Sequence, residues 1–130
     1  MKAAYFDCIS GISGDMVLGA LLDAGVPIDA LTRELSRLPL TGYQLRAEPA
    51  QRGMLHGTRA IVEVGGATAP RSLAEILSTI ASADLPPPVK EQGSRIFQRL
   101  AQAEARVHQV PLAEVHLHEA GAVDAMVDVM

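Results

Sequence analysis

Proline and glycine cut this chain into short pieces, and that punctuation limits its fold more than any other feature. Gly25 and Pro27 close one segment, Pro39 another, and "LPPP" at 85–88 a third, while "GGATAP" at 65–70 reads as a linker. No internal repeat is visible, and no apolar run reaches the ~20 residues that a membrane-spanning helix needs. The pieces must therefore pack on one another. We expect a single α/β domain over residues 1–130, with α+β as the alternative: a mixed sheet of three to four strands packed with four to five helices.

Within each piece the spacing of apolar residues assigns the element. "AAYFDC" (3–8) is an apolar run closed by a polar turn and reads as a buried strand. "SGISGD" (10–15) is the turn, and a helix follows over 15–25, capped by Ser13, with Asp15 in its first turn. Its apolar residues nearly encircle it, so burial on most sides is expected. Asp29 is placed to cap a second helix that shows Leu31, Leu35 and Leu38 on one face. "YQLRAEP" and "TRAIVEV" alternate as half-buried strands, and the glycines between them, Gly53 and Gly57, suggest an antiparallel pair. Ser72 and Glu75 form a capping box ahead of Leu73, Ile76, Leu77 and Ile80. Pro88 can open a long helix reaching about Val107, weakened at Gly93 by about 1 kcal/mol relative to Ala.

The core must be aliphatic, because the chain has no Trp and only two Phe and two Tyr among its 130 residues. Net charge is −4 and the eleven Lys and Arg are scattered, so no nucleic-acid partner is expected; the acidic excess suits solubility or a cation. Cys8 is the only cysteine, which excludes an internal disulfide and fits a cytoplasmic setting. No membrane association is expected, and a homo-oligomer is an open alternative.

The chemistry concentrates in "EVHLHEAGAVDAMVD" (114–128), with two His, two Glu and two Asp. If "VHLHE" is extended, His116 and His118 project from one face and can ligate a transition metal. Glu119 points to the other face, within reach if the strand ends there. Asp124 and Asp128 are four apart on a following helix, as ligands or as acceptors that orient the histidines. The competing reading is a hydrogen-bonded surface strand and a solvated helix face. His56 in its glycine-flanked turn and His108 at the end of the long helix need no ligand role. The helical spacing of Val123, Val127 and Met130 stops without a capping signal, which suggests a fragment of a longer protein or a terminus that docks.

A second group lies in the first turn. Asp7 and Asp15 flank Ser10, Gly11, Ser13 and Gly14, whose backbone amides can face a ligand at the carboxyl edge of a sheet. Cys8 offers a thiolate there, although a free cysteine is more commonly a small buried hydrophobe. There is no Gly-x-Ser-x-Gly elbow, no P-loop with its lysine and no Cys-x-x-Cys pair.

Together, "YFDCISGISGDMVLGALLDAG" and "VHLHEAGAVDAMVDV" resemble the N-terminal part of the LarC-type nickel insertion proteins, which complete the nickel-pincer nucleotide cofactor of lactate racemase. "GYQLRAEPAQRGMLHGT", "RSLAEI" and "VKEQGSRIFQRLAQAEARVH" fall in the order this family leads one to expect. The resemblance implies a nickel chelatase of the lyase class that places Ni(II) in a pyridinium bis-thiocarboxylate mononucleotide with CTP, the nucleotide being expected outside this chain. It implies as partners the pincer precursor, a C-terminal region not present here and the lactate racemase maturation proteins. It carries over Asp7, Asp15, His116, His118, Glu119 and Asp124, which sit in the matched motifs; from their chemistry we assign Asp7, Asp15 and Glu119 as catalytic candidates, His116, His118, Glu119 and Asp124 as metal ligands, and the turn residues Ser10, Gly11, Ser13 and Gly14 as cofactor-binding. The histidine-rich insertion that many members carry before the "RSL" helix is absent, so no nickel-storage role transfers. A metallochaperone that only delivers Ni(II), a metal-dependent hydrolase and a structural scaffold are the rival readings.

Overall fold

The computed structural model describes residues 3–9, 11–66, 71–117 and 123–130. Five helices and four strands give a mixed α/β fold: α1 (Gly14–Asp23), α2 (Ile28–Leu35), β1 (Tyr43–Arg52), β2 (Leu55–Val64), β3 (Arg71–Ser72), α3 (Leu73–Ser82), α4 (Pro87–His108), β4 (His116–Leu117) and α5 (Val123–Val129), with a short 3-10 turn at Leu112–Glu114. The strands form two separate antiparallel pairs, β1 with β2 and β3 with β4, rather than one sheet.

The hairpin is longer than its alternating segments suggest. Tyr43 pairs with Val64 and Arg52 with Leu55, so the turn shrinks to Gly53 and Met54, and Gly57 lies within β2 opposite Ala50. Pro49 lacks an N–H and is tolerated because β1 is an edge strand in a two-stranded sheet. The capping box of α3 forms in full: Glu75 N–H donates to Ser72 Oγ at 3.3 Å and Ser72 N–H donates to Glu75 Oε2 at 2.7 Å. Pro87 and Pro88 open α4, where a missing N–H costs nothing.

Four expectations are corrected. Residues 3–8 are not a strand; they run without regular structure and are exposed, Tyr5 at 91% and Phe6 at 49%. The physical reason is that an apolar strand needs a partner edge, and among the described residues none is offered to it. Helix α1 is not buried on most sides, since only Leu18 and Gly19 are buried. Ser13 occupies the N-cap of α1 but makes no capping bond; its hydroxyl donates to the carboxylate of Asp15 instead. Asp29 does not cap α2, because Pro27 takes the N-cap and Asp29 falls in the first turn.

The core has two parts. Leu18, Leu35, Leu38, Leu45 and Ala60 gather between α1, α2 and the hairpin, with Val123 and Val127. Ile76, Ile80, Phe97, Ala101, Val115 and Leu117 gather between α3, α4 and β4, with Met126. The i, i+3, i+4 spacing of Val123, Met126 and Val127 lets α5 enter both clusters. Phe97 is fully buried, a burial that stabilises by about 2–3 kcal/mol. Among the described residues no helix is long and apolar enough to cross a membrane.

Candidate functional site

Helix α1 reaches α5 through glycine. A Cβ placed on Gly14 would lie 2.4 Å from Asp128 Cβ, so only a bare Cα permits this approach. A Cβ on Gly19 would likewise lie 2.5 Å from the carbonyl oxygen of Thr58, which seats α1 on β2. These close approaches bring the first turn of α1, the face of α5 and the outer strand β2 together.

At their junction Asp15, Asp124 and Asp128 line a depression of about 230 Å³ with Arg59, Ala60, Ile61 and Val62. Asp124 sits in the first turn of α5 and Asp128 one turn on, hence on the same side. The Asp128 carboxyl is pushed up to about 6, first by burial and then by the charges of Asp15 and Asp124, while the Asp15 backbone N–H pulls the other way. Its Oδ1 is buried without a hydrogen-bond partner. The one cation in the lining, Arg59, lies 3.7 Å from Glu48 across the hairpin. The depression thus holds more negative charge than its own groups neutralise.

The histidines are distributed differently. In β4 the side chains alternate as a strand requires, Leu117 buried and His116 exposed. His116 faces a second depression of about 230 Å³ with His108, Val110, Glu114 and Val115. His108, at the end of α4, lies 3.1 Å from Glu104. Hydrogen bonds from Ser72 hold the Glu75 carboxyl below its usual range, with smaller contributions from Arg71 and then His116. His56 is exposed as expected but belongs to β2, opposite Gln51.

Of the sequence-derived candidates, Asp15 and Asp124 meet in the acidic depression. Asp7 lies in the exposed segment before α1, Gly11 and Ser13 are exposed in the turn, and Gly14 is packed on Asp128. Ser10, His118 and Glu119 lie outside the described residues. Cys8 is exposed, which overturns the buried-hydrophobe reading. Two contributors were missed. Arg59 joins the depression through the hairpin register, which no local motif signals, and Glu114 lines the second depression with His108 and His116. Among the described residues no three His, Cys, Asp or Glu side chains are arranged as a ready metal site. The acids gathered in the first depression, one with an orphaned oxygen, nonetheless have the donor chemistry for a hydrated divalent cation.

Comparisons with known proteins place this geometry in context. The family described as "Nickel insertion protein" matches residues 4–130. A "Putative nickel insertion protein" of Syntrophobacter fumaroxidans is 52% identical over 130 residues, which is 100% of this chain and 33% of that protein. The "Pyridinium-3,5-bisthiocarboxylic acid mononucleotide nickel insertion protein" of Desulfitobacterium hafniense is 45% identical over 130 residues, 100% of this chain and 32% of that protein. The chain therefore spans about a third of the length of the curated relatives it matches. No solved structure matches it.

Proposed function

Because the chain belongs to the nickel insertion protein family, we propose that it is the N-terminal third of a CTP-dependent enzyme that inserts Ni(II) into pyridinium-3,5-bisthiocarboxylic acid mononucleotide, the route to the nickel-pincer cofactor of lactate racemase. Ni(II) is cargo in this reading, and the acidic depression at the α1–α5 junction receives it. The observation that supports this most is the meeting of Asp15, Asp124 and Asp128, with an unpartnered buried oxygen on Asp128. His118 and Glu119 are proposed as further donors; CTP is proposed to bind elsewhere in the longer protein.

The donor set suits transfer rather than storage. An inserting protein must hold nickel firmly enough to select it and loosely enough to yield it to sulfur. Carboxylate and imidazole ligands meet both needs better than a closed thiolate cage. Asp15 and Asp124 orient the ion. Asp128, poised near pH 6, binds a proton or a cation in turn. It is suited to accept the proton released when the ring C–H bond is replaced by a C–Ni bond.

A delivery role without chemistry shares the nickel but not the precursor. Calorimetry separates the two. Binding of the mononucleotide precursor to the nickel-loaded chain supports insertion, whereas nickel binding with no precursor binding supports delivery alone. Unchanged Ni(II) affinity after replacing all three aspartates with Asn would overturn both.

A further inference from the structure

We propose that residues 3–9 are an interior strand left without its sheet, and that a strand from the other two thirds of the longer polypeptide completes it. This rests on reading the chain as the N-terminal third of such a protein.

Among the described residues eleven large apolar side chains are exposed, and five of them fall between positions 5 and 16: Tyr5, Phe6, Ile9, Ile12 and Met16. Tyr5 and Ile9 are each 91% exposed. In extended backbone Tyr5 and Ile9 take one face with Asp7 between them, and Ala4, Phe6 and Cys8 take the other. Apolar residues on both faces mark a strand covered on both sides, as in the middle of a parallel or mixed sheet. An antiparallel strand with one wet face would alternate with polar residues.

Among the described residues the main chain of this segment is sparsely bonded as well. Among the described residues the only backbone hydrogen bond to this segment is from Gly11 N–H to Cys8 O, at 3.2 Å. A row of free N–H and C=O groups beside apolar side chains is a template for strand addition.

Geometry selects the occupant. Asp128 packs on Gly14, so the last turn of α5 lies against the first turn of α1. Met130 follows that turn directly, with its side chain against Gly93 of α4, and this chain spans 33% of the S. fumaroxidans relative, which leaves about two thirds of that protein's length to supply a strand. A second copy is the weaker occupant. Self-pairing leaves the faces of so short a strand uncovered, whereas a longer polypeptide can supply covering layers along with the pairing strand. Pairing would also fix Asp7 at the carboxyl edge of the new sheet, on the side from which the turn leads to Asp15.

Hydrogen exchange at the amides of residues 4–9 tests this. It is measured in the 130-residue chain at low and high concentration, and in a chimera where this chain replaces the matched third of the S. fumaroxidans protein. Exchange is expected at the rate of unstructured peptide in the chain alone and about 100-fold slower in the chimera. Equally fast exchange in the chimera overturns the proposal. So does protection of the isolated chain, whether it grows with concentration, which indicates a second copy, or holds at every concentration. Tyr5→Asp with Phe6→Asp is expected to leave melting of the isolated chain unchanged and to abolish the protection in the chimera. Nickel insertion by the chimera is scored separately: protection without insertion sinks the functional reading alone, and insertion without protection sinks the strand alone.

Discussion

The acidic depression takes its carboxylates from positions 15, 124 and 128, whereas the imidazole depression takes its ring nitrogens from positions 108 and 116. They have the same volume, about 230 Å³, yet opposite characters. In the first, burial raises the pKa of the partly buried Asp128, and the charges of the exposed Asp15 and Asp124 add to it. In the second, His108 and His116 are exposed and share the lining with a single acid, Glu114, while His108 also lies 3.1 Å from Glu104. The difference shows that density in sequence is not convergence in space. The run from 114 to 128 looks like one site, but the fold sends His116 to one side with His108 and sends Asp124 and Asp128 to another with Asp15.

The largest expected effect sharpens that contrast. Replacing Asp15, Asp124 and Asp128 together with Asn should lower Ni(II) affinity by roughly 100-fold or more, while His108→Ala with His116→Ala should change it by less than about threefold. Calorimetric titration compares them, and equal losses would erase the distinction between the depressions.

Next is the contact that builds the acidic side. Gly14→Ala forces a methyl group into Asp128 and should destabilise the chain by about 2 kcal/mol. Gly57→Ala meets nothing within 4 Å and should stay within about 0.5 kcal/mol of wild type. Denaturant unfolding of both variants is the check, and similar losses would mean that α1 does not rest on α5 at that point.

A smaller effect follows from the charge imbalance. The Asp128 pKa, about 6, lies above the ordinary 3.8, so the folded chain holds that proton more tightly than the unfolded chain does. The stability this confers is complete below the ordinary value and is lost as pH rises through about 6. Because the group is only half-buried, solvent screening leaves about 1 kcal/mol of the effect. Asp128→Asn should therefore stabilise the metal-free chain by about that amount at neutral pH and by nothing below about pH 4, read from melting temperatures across the range. The smallest effect belongs to the other region: Glu104→Gln breaks an exposed pair and should move stability by less than about 0.5 kcal/mol.

Much of the fold was legible because its signals are local. The capping box needs only Ser72 and Glu75, the long helix only its prolines and its apolar period, and the hairpin only alternation around Gly53. Asp29 failed as a cap because the backbone turns into the helix earlier, at Pro27. Residues 3–8 failed as a strand because an apolar run states that burial is wanted but not which edge supplies it. The acidic depression was half legible. The expectation that Asp15 and Asp124 converge came from paired motifs at the two ends, but Arg59 enters through a hairpin register that no short window of sequence contains.

The most direct test of the cation site is a Ni(II) titration of the 130-residue chain between pH 5 and pH 8, beside Asp128→Asn. The account predicts affinity that climbs as pH passes about 6, where the metal no longer competes with the Asp128 proton, and a shallower climb at lower affinity in the variant. Identical affinities and identical pH profiles in the two proteins would contradict it.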